Sequence, residues 1–128
     1  MQRKLMGNDH PHLAVSLGNL GALLRDKHNY DASEAVFHEA VAMNRKIHGE
    51  EHWHTANSRS HLGECLTKMG RYEEAEKVLL EAQRILNTTL GKDHKRTIKA
   101  VERLVALYDT WGKTDKAAEY RVMLRNGE

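Results

Sequence analysis

The sequence of 128 residues predicts an all-α fold, a right-handed α-solenoid built from three helix-turn-helix hairpins. Gly7, Gly49 and Gly91 are separated by steps of 42 residues, and a histidine follows each glycine three positions later. Within each step, two apolar stripes of helical spacing flank a short break. A fixed period of this length is typical of stacked supersecondary units, in which each unit packs only on its neighbours.

The first unit contains two predicted helices. The first of them begins at Pro11, because a proline at the first helical position loses no hydrogen bond and already has a helical φ. Its apolar stripe consists of Leu13, Leu17, Leu20 and Leu24. The pattern breaks at His28-Asn29, and a second helix follows with Phe37 on its stripe. Gly49 ends this helix, since glycine tolerates a left-handed cap.

The second and third units repeat this plan. Gly70 and Gly112 separate the two helices of each unit, and leucines such as Leu62 and Leu104 keep the apolar stripes at the same step. The six predicted helices cover residues 11–27, 31–48, 53–69, 73–90, 95–111 and 115–125.

The period divides the chain into a single array of three repeats with a short leading segment. We expect residues 1–6 to be the end of a preceding repeat's second helix, because Met1-Gln-Arg-Lys-Leu-Met-Gly7 aligns with Met43-Asn-Arg-Lys-Ile-His-Gly49. Thr114 and Arg121 stand where the earlier units have tyrosine and a large apolar residue, and a polar last helix is suited to capping a stack. The repeats cover residues 7–48, 49–90 and 91–128, the last being a C-terminal capping repeat.

The composition argues against several classes of protein. Twenty basic and eighteen acidic residues leave a net charge of +2, which is too balanced to indicate nucleic acid or an anionic membrane as partner. No apolar run has the length of a membrane span, and the N-terminus does not resemble a secretory signal. Cys65 is the only cysteine, which favours a reducing compartment. We therefore expect a cytoplasmic protein.

The motif residues resemble those of the tetratricopeptide repeat family. In the second unit the residues that keep this spacing are Leu62-Gly63, Gly70, Tyr72, Ala75, Leu79 and Ala82. The long unit, with its opening Gly7-Asn-Asp-His-Pro11, is similar to the repeats of kinesin light chains and of many bacterial multidomain proteins. Gly21 and Gly63 are expected where two helices pass closely, and Phe37 and Leu79 where large side chains fill the space between helices.

The resemblance implies a non-catalytic protein–protein interaction scaffold. In such stacks the first helices line a concave face that binds a peptide segment of a partner. The inward positions of the family map here onto Asn19, Arg25, Asn57, Ser60, His61, Glu64, Lys68, Lys99, Glu102 and Arg103. We expect Asn19, Asn57 and His61 to offer hydrogen bonds to the peptide backbone. Arg25, Lys99 and Arg103 would favour an acidic partner.

Other kinds of site have little support in the sequence. It contains no glycine-rich phosphate loop and no arrangement of a nucleophile with a base, so neither catalysis nor a cofactor is predicted. His48, His52 and His54 have a spacing that zinc or nickel could use. His52, however, is the histidine of the repeat, and its expected place is at the entrance of a helix, so no metal site is predicted.

A second hypothesis concerns the N-terminal edge of the array. If the face that an earlier unit would cover is open, its apolar residues could mediate self-association. The alternative function is therefore a structural or oligomerising segment, which forms a homodimer through this edge.

Overall fold

The computed structural model describes residues 2–126 of the chain, and side chains within residues 11–125. This part of the chain forms six helices and contains no strand, which confirms the all-α class. The helices are α1 (Gln2–Asp26), α2 (Tyr30–His48), α3 (Trp53–Lys68), α4 (Tyr72–Leu90), α5 (Lys95–Trp111) and α6 (Thr114–Asn126). They pair in chain order into three hairpins, α1 with α2, α3 with α4 and α5 with α6.

The hairpins stack into a solenoid whose curvature follows from the contacts between helices. Each hairpin meets the next through its second helix, α2 against α3 and α4 against α5. The first helices also contact one another, α1 with α3 and α3 with α5, whereas within the described chain α2, α4 and α6 do not. The first helices are therefore on the inside of the curve, and we call the surface that they form the concave face.

Helix α1 differs from the prediction. A helix was expected to begin at residue 11, with residues 1–6 belonging to a separate helical end, but α1 runs from Gln2 to Asp26 with Pro11 inside it. In repeats 2 and 3 the chain reverses after Gly49 and Gly91, just before the histidine that caps the next helix. In repeat 1 the equivalent residue, His10, lies within the continuous helix α1. The origin of residues 1–6 in a preceding repeat stays a prediction, and their side chains lie outside the described residues.

The repeat histidines cap the first helices of repeats 2 and 3. His52 Nδ1 accepts a hydrogen bond from the backbone N–H of His54 at 3.1 Å, and His94 Nδ1 accepts one from Arg96 at 3.1 Å. Each imidazole thereby satisfies a backbone donor that the first turn of a helix leaves free. The expected place of His52 at a helix entrance is confirmed.

Close packing inside the first two hairpins depends on glycine. A Cβ atom at Gly21 would lie 2.8 Å from the Phe37 ring, and one at Gly63 would lie 2.4 Å from Leu79 Cγ. Phe37 and Leu79 are both fully buried, so the predicted pairing of a glycine with a large residue is confirmed. Their side chains belong to a core that runs through all three hairpins and reaches Tyr108.

Candidate functional site

The floor of the concave face is a polar network centred on Arg103 of α5. Its side chain is only 7% exposed. The guanidinium donates hydrogen bonds to Glu64 Oε1 at 2.8 Å, Ser60 Oγ at 2.7 Å and His61 Nδ1 at 3.3 Å, all on α3. Three donors of one fixed fork are thus used to tie repeat 3 to repeat 2.

Arg25 of α1 reaches the same network from the other side. Its Nη1 atom lies 3.2 Å from His61 Nδ1 and 3.6 Å from Glu64 Oε1. The Glu64 carboxylate therefore lies between two guanidinium groups. Burial alone would raise the pKa of Glu64, but the hydrogen bond and charge of Arg103, together with Arg25, more than offset burial and lower it.

His61 is the neutral member of this network. Burial, then the positive charges of Arg103 and Arg25, lower its pKa to about 3. Its ring also stacks on Phe37, with ring centroids 5.5 Å apart. A neutral imidazole can accept hydrogen bonds at Nδ1 from both arginines, which an imidazolium could not do. The network therefore requires an uncharged His61.

Along the concave face above this floor, the residues with described side chains line three cavities. The largest, of about 530 Å³, lies between the C-terminal halves of α3 and α5, where Tyr30, Tyr72, Lys68 and Glu102 contribute to its walls. A second of about 270 Å³ lies between α1 and α3, with Asn19 among its lining residues.

The third cavity, of about 390 Å³, is cationic. It is lined by Asn57, His61, Lys95, Arg96, Lys99 and Arg103, a set with four basic residues and no carboxylate. Lys95, Arg96 and Lys99 lie in the first turns of α5, where the helix dipole adds a positive potential. Arg96 also lies over the Trp53 ring, with its guanidinium carbon 4.6 Å from the ring centroid.

The structure brings most of the predicted site residues to these cavities. Those that line at least one cavity are Asn19, Asn57, His61, Glu64, Lys68, Lys99, Glu102 and Arg103. Ser60 is fully buried, and its hydroxyl is used by Arg103. Arg25 and Arg103, which were expected to favour an acidic partner, are both engaged by Glu64, and the preference itself stays a prediction.

Sequence reasoning missed two basic residues of the cationic cavity, Lys95 and Arg96. A signal was available, since Lys95 and Lys99 are four residues apart and Arg96 and Arg103 are seven apart, so each pair lies on one side of a helix. These residues precede the family's inward positions and were therefore left out.

The histidines between repeats 1 and 2 stack on one another. The ring centroid of His48 is 4.5 Å from those of His52 and His54, and Trp53 stacks on His54 at 3.8 Å. Burial, followed by the neighbouring histidines, lowers the pKa of His48 and of His54, and Arg96 adds to the effect at His54. Among the residues with described side chains, no group of three or more histidine, cysteine or acidic residues is arranged to hold a metal ion.

Stacked helical hairpins with a cavity-lined inner face define the class of α-helical repeat proteins. The chain belongs to the tetratricopeptide repeat family, whose profile matches residues 13–87 and 54–120. Such repeats generally mediate protein–protein interaction and are generally non-catalytic.

Among solved structures, BtubC (BKLC) from P. vanneervenii is similar, with a TM-score of 0.82 and 19% sequence identity. The match covers 94% of this chain and 48% of that chain, so this chain spans about half the length of BtubC. At this identity the likeness shows the fold alone. No curated protein matches the chain at a significant level. None of the helices in the described part of the chain is long and apolar enough to cross a membrane.

Proposed function

We propose that the concave face binds a peptide segment of a partner protein and prefers segments with acidic side chains. The cationic cavity carries this proposal, because four basic residues and no carboxylate line it. The chain as a whole has a net charge of only +2, so the preference would come from this local surface. We place this interaction in the cytoplasm, where Cys65 would remain a free thiol.

The polar network on the floor of the concave face determines which basic side chains are available to contact a peptide. Arg103 and Arg25 share the Glu64 carboxylate, so their charge is partly neutralised before a peptide arrives. The ion pair between Lys99 and Glu102, at 3.6 Å, is exposed on both sides and therefore weak. Lys95, Arg96 and Lys99 are the basic groups best placed to meet acidic side chains of a peptide.

Polar side chains along the same face suit an extended peptide backbone. Asn57 lies between the cationic cavity and the cavity that contains Asn19, so the two amides follow one another along the groove. An asparagine side chain can both donate to a carbonyl and accept from an N–H. Such contacts fix the position of a peptide, while the charges of α5 select its sequence.

The test is a fluorescence anisotropy titration with a labelled acidic peptide library and an isosteric library in which Gln and Asn replace Glu and Asp. We expect tighter binding of the acidic library, and a loss that grows as salt is added. The double variant Lys95→Glu/Lys99→Glu should weaken acidic binding by about 5- to 20-fold, since rim charges contribute modestly and each reversal also repels. Equal affinity for the two libraries would contradict the charge preference.

A matched control separates the site from general charge effects. Lys77 is exposed on α4 and lines none of the three concave cavities, so Lys77→Glu changes the net charge without changing this face. We expect this variant to bind like the wild type. If it weakens binding as much as a single reversal in α5, the ligand is responding to net charge. Arg103→Glu is unsuitable as a test, because it would place two carboxylates together in the buried floor.

A further inference from the structure

An apolar stripe along α1 is left uncovered at the N-terminal edge of the stack. Leu13, Leu20 and Leu23 are 44%, 44% and 52% exposed. Leu20 and Leu23 correspond, 42 residues later, to Leu62 and Cys65, which are only 3% and 0% exposed. The same helical face is therefore core in repeat 2 and open in repeat 1.

The equivalent face of repeat 2 is covered, and it shows which residues pack against such a face. In repeat 2 it packs against α2, where Phe37 is fully buried and the Tyr30 carbonyl lies 3.4 Å from Cys65 Sγ. The corresponding positions on α6 are Thr114 and Arg121, so the C-terminal end of another copy offers no such aromatic residues. Head-to-tail stacking of copies is therefore less favourable than a self-complementary contact.

The exposed stripe has the pattern of a helix that pairs with another helix. Leu13, Ser16, Leu20, Leu23 and Lys27 follow one another at steps of three and four residues, which is the spacing of a and d positions in a heptad. If two copies of α1 lie antiparallel and cross near Gly18, Leu13 meets Leu23 of the second copy. The small side chain of Ser16 then meets Leu20, so that large and small residues alternate across the seam.

Polar groups beside the seam are complementary in the same arrangement, since an imidazole N–H can donate a hydrogen bond to a carboxylate. His12 and Asp26 are both exposed, and both lie on one flank of the stripe, fourteen residues apart. Antiparallel pairing brings His12 of each copy opposite Asp26 of the other. We propose that α1 pairs antiparallel with α1 of a second copy, which gives a two-fold symmetric dimer through the N-terminal edge.

The first experiment measures the mass of the full chain by light scattering over a wide range of protein concentration. The wild type should shift from the monomer mass to twice that mass as its concentration rises, and to no larger species. Leu20→Glu and Leu23→Glu should remain monomeric over the same range. Because both leucines are about half exposed, the variants should keep the wild-type circular dichroism spectrum.

Val122→Glu is the matched control. Val122 is 41% exposed on α6, at the opposite end of the stack, so the same kind of substitution there should leave the dimer unchanged. A wild type that stays monomeric at every concentration, a ladder of larger oligomers, or an equal loss of dimer in Val122→Glu would each overturn the proposal.

A paired substitution tests the antiparallel register. Asp26→Lys should weaken the dimer, because the substitution removes the carboxylate that can accept a hydrogen bond from His12 of the other copy and puts an ammonium group in its place. Adding His12→Asp should restore the dimer, because a carboxylate and an ammonium group then face each other across the seam. If the double variant is no better than Asp26→Lys alone, the helices do not pair in this register and the proposal fails.

Discussion

Gly63 and Gly18 lie in equivalent kinds of helix but in different surroundings. A Cβ at Gly63 would lie 2.4 Å from Leu79 Cγ, whereas one at Gly18 would meet nothing within 4 Å. In repeat 3 the residues that correspond to Gly63 and Leu79 are Val105 and Arg121, and the arginine turns outward to an ion pair with Asp109. The small residue is therefore required only where a large apolar partner is buried opposite it.

This difference gives the first prediction. Gly63→Ala should lower the free energy of unfolding by about 1–3 kcal/mol, because Leu79 must move to admit the methyl group. Gly18→Ala should raise it by about 0.5–1 kcal/mol, since alanine is the better helix former and the site has room. Urea unfolding of both variants measures the two changes, and opposite signs are expected. Destabilisation of equal size in both would contradict the packing argument.

The turn of repeat 1 contains a residue in an unfavourable conformation. His28 has φ of 65°, while glycine occupies the equivalent positions of the next two turns, Gly70 and Gly112. His28→Gly should therefore raise the free energy of unfolding by about 0.5–1 kcal/mol, even though it removes the exposed hydrogen bond to Tyr30.

Thermal unfolding checks the His28 prediction against His38→Gly, which places glycine inside α2 and should cost about 1 kcal/mol. A fall in stability for His28→Gly would mean that the hydrogen bond between His28 Nδ1 and the Tyr30 hydroxyl outweighs the backbone strain.

At the scale of helices, much of the fold could be predicted from sequence. Apolar stripes and capping residues determine α2 to α6, and the observed bounds of these helices differ from the predicted ones by no more than one residue. The predicted start of α1 was wrong. Proline favours the first turn of a helix, because in the interior it removes a backbone hydrogen bond and crowds the preceding turn, yet α1 continues through Pro11.

The side of each helix that carries the candidate site could be predicted from the sequence, but the contacts of the individual side chains could not. Helical spacing places Arg103 on the inner side of α5, and that was correct. Whether its guanidinium meets solvent or Glu64 depends on the distance between α5 and α3, which the spacing within one helix cannot supply. Ser60 was misjudged for the same reason, because its exposure is decided by a neighbouring repeat.

Contacts between helices give a further prediction. Arg103→Ala removes the main partner of a half-buried carboxylate and should lower the free energy of unfolding by about 2–4 kcal/mol. Lys99→Ala, which removes an exposed lysine one turn away, should change it by less than about 0.5 kcal/mol. Urea denaturation compares the two. Similar small effects would mean that Arg25 alone can satisfy Glu64.

At the scale of the whole molecule, the free energy of unfolding should depend on pH. Burial and the adjacent arginines lower the pKa of His61 from 6.5 to about 3, so the unfolded chain binds this proton more readily than the folded one. The contribution of His61 to the free energy of unfolding is fully present above about pH 6.5 and is lost as the pH falls toward 3. His48 and His54, whose pKa values are also lowered, act in the same direction.

We therefore expect His61 to account for about 2 kcal/mol of the stability lost between pH 7 and pH 5. His61→Gln keeps a hydrogen-bonding side chain but cannot titrate, so its stability should fall less steeply over this range. His38→Gln, at an exposed position on α2, should keep the wild-type slope. Denaturant midpoints measured at several pH values distinguish these cases. Identical slopes for wild type and His61→Gln would exclude His61 as the source.

Glu64 joins three repeats through one carboxylate, since Arg25 approaches it from α1 and Arg103 from α5. Flattening or tightening the coil would pull at least one guanidinium away from it in a poorly hydrated place. The width of the groove is thus determined in the free protein, and the peptide that we propose as its ligand would lose less affinity to reorganisation of the groove.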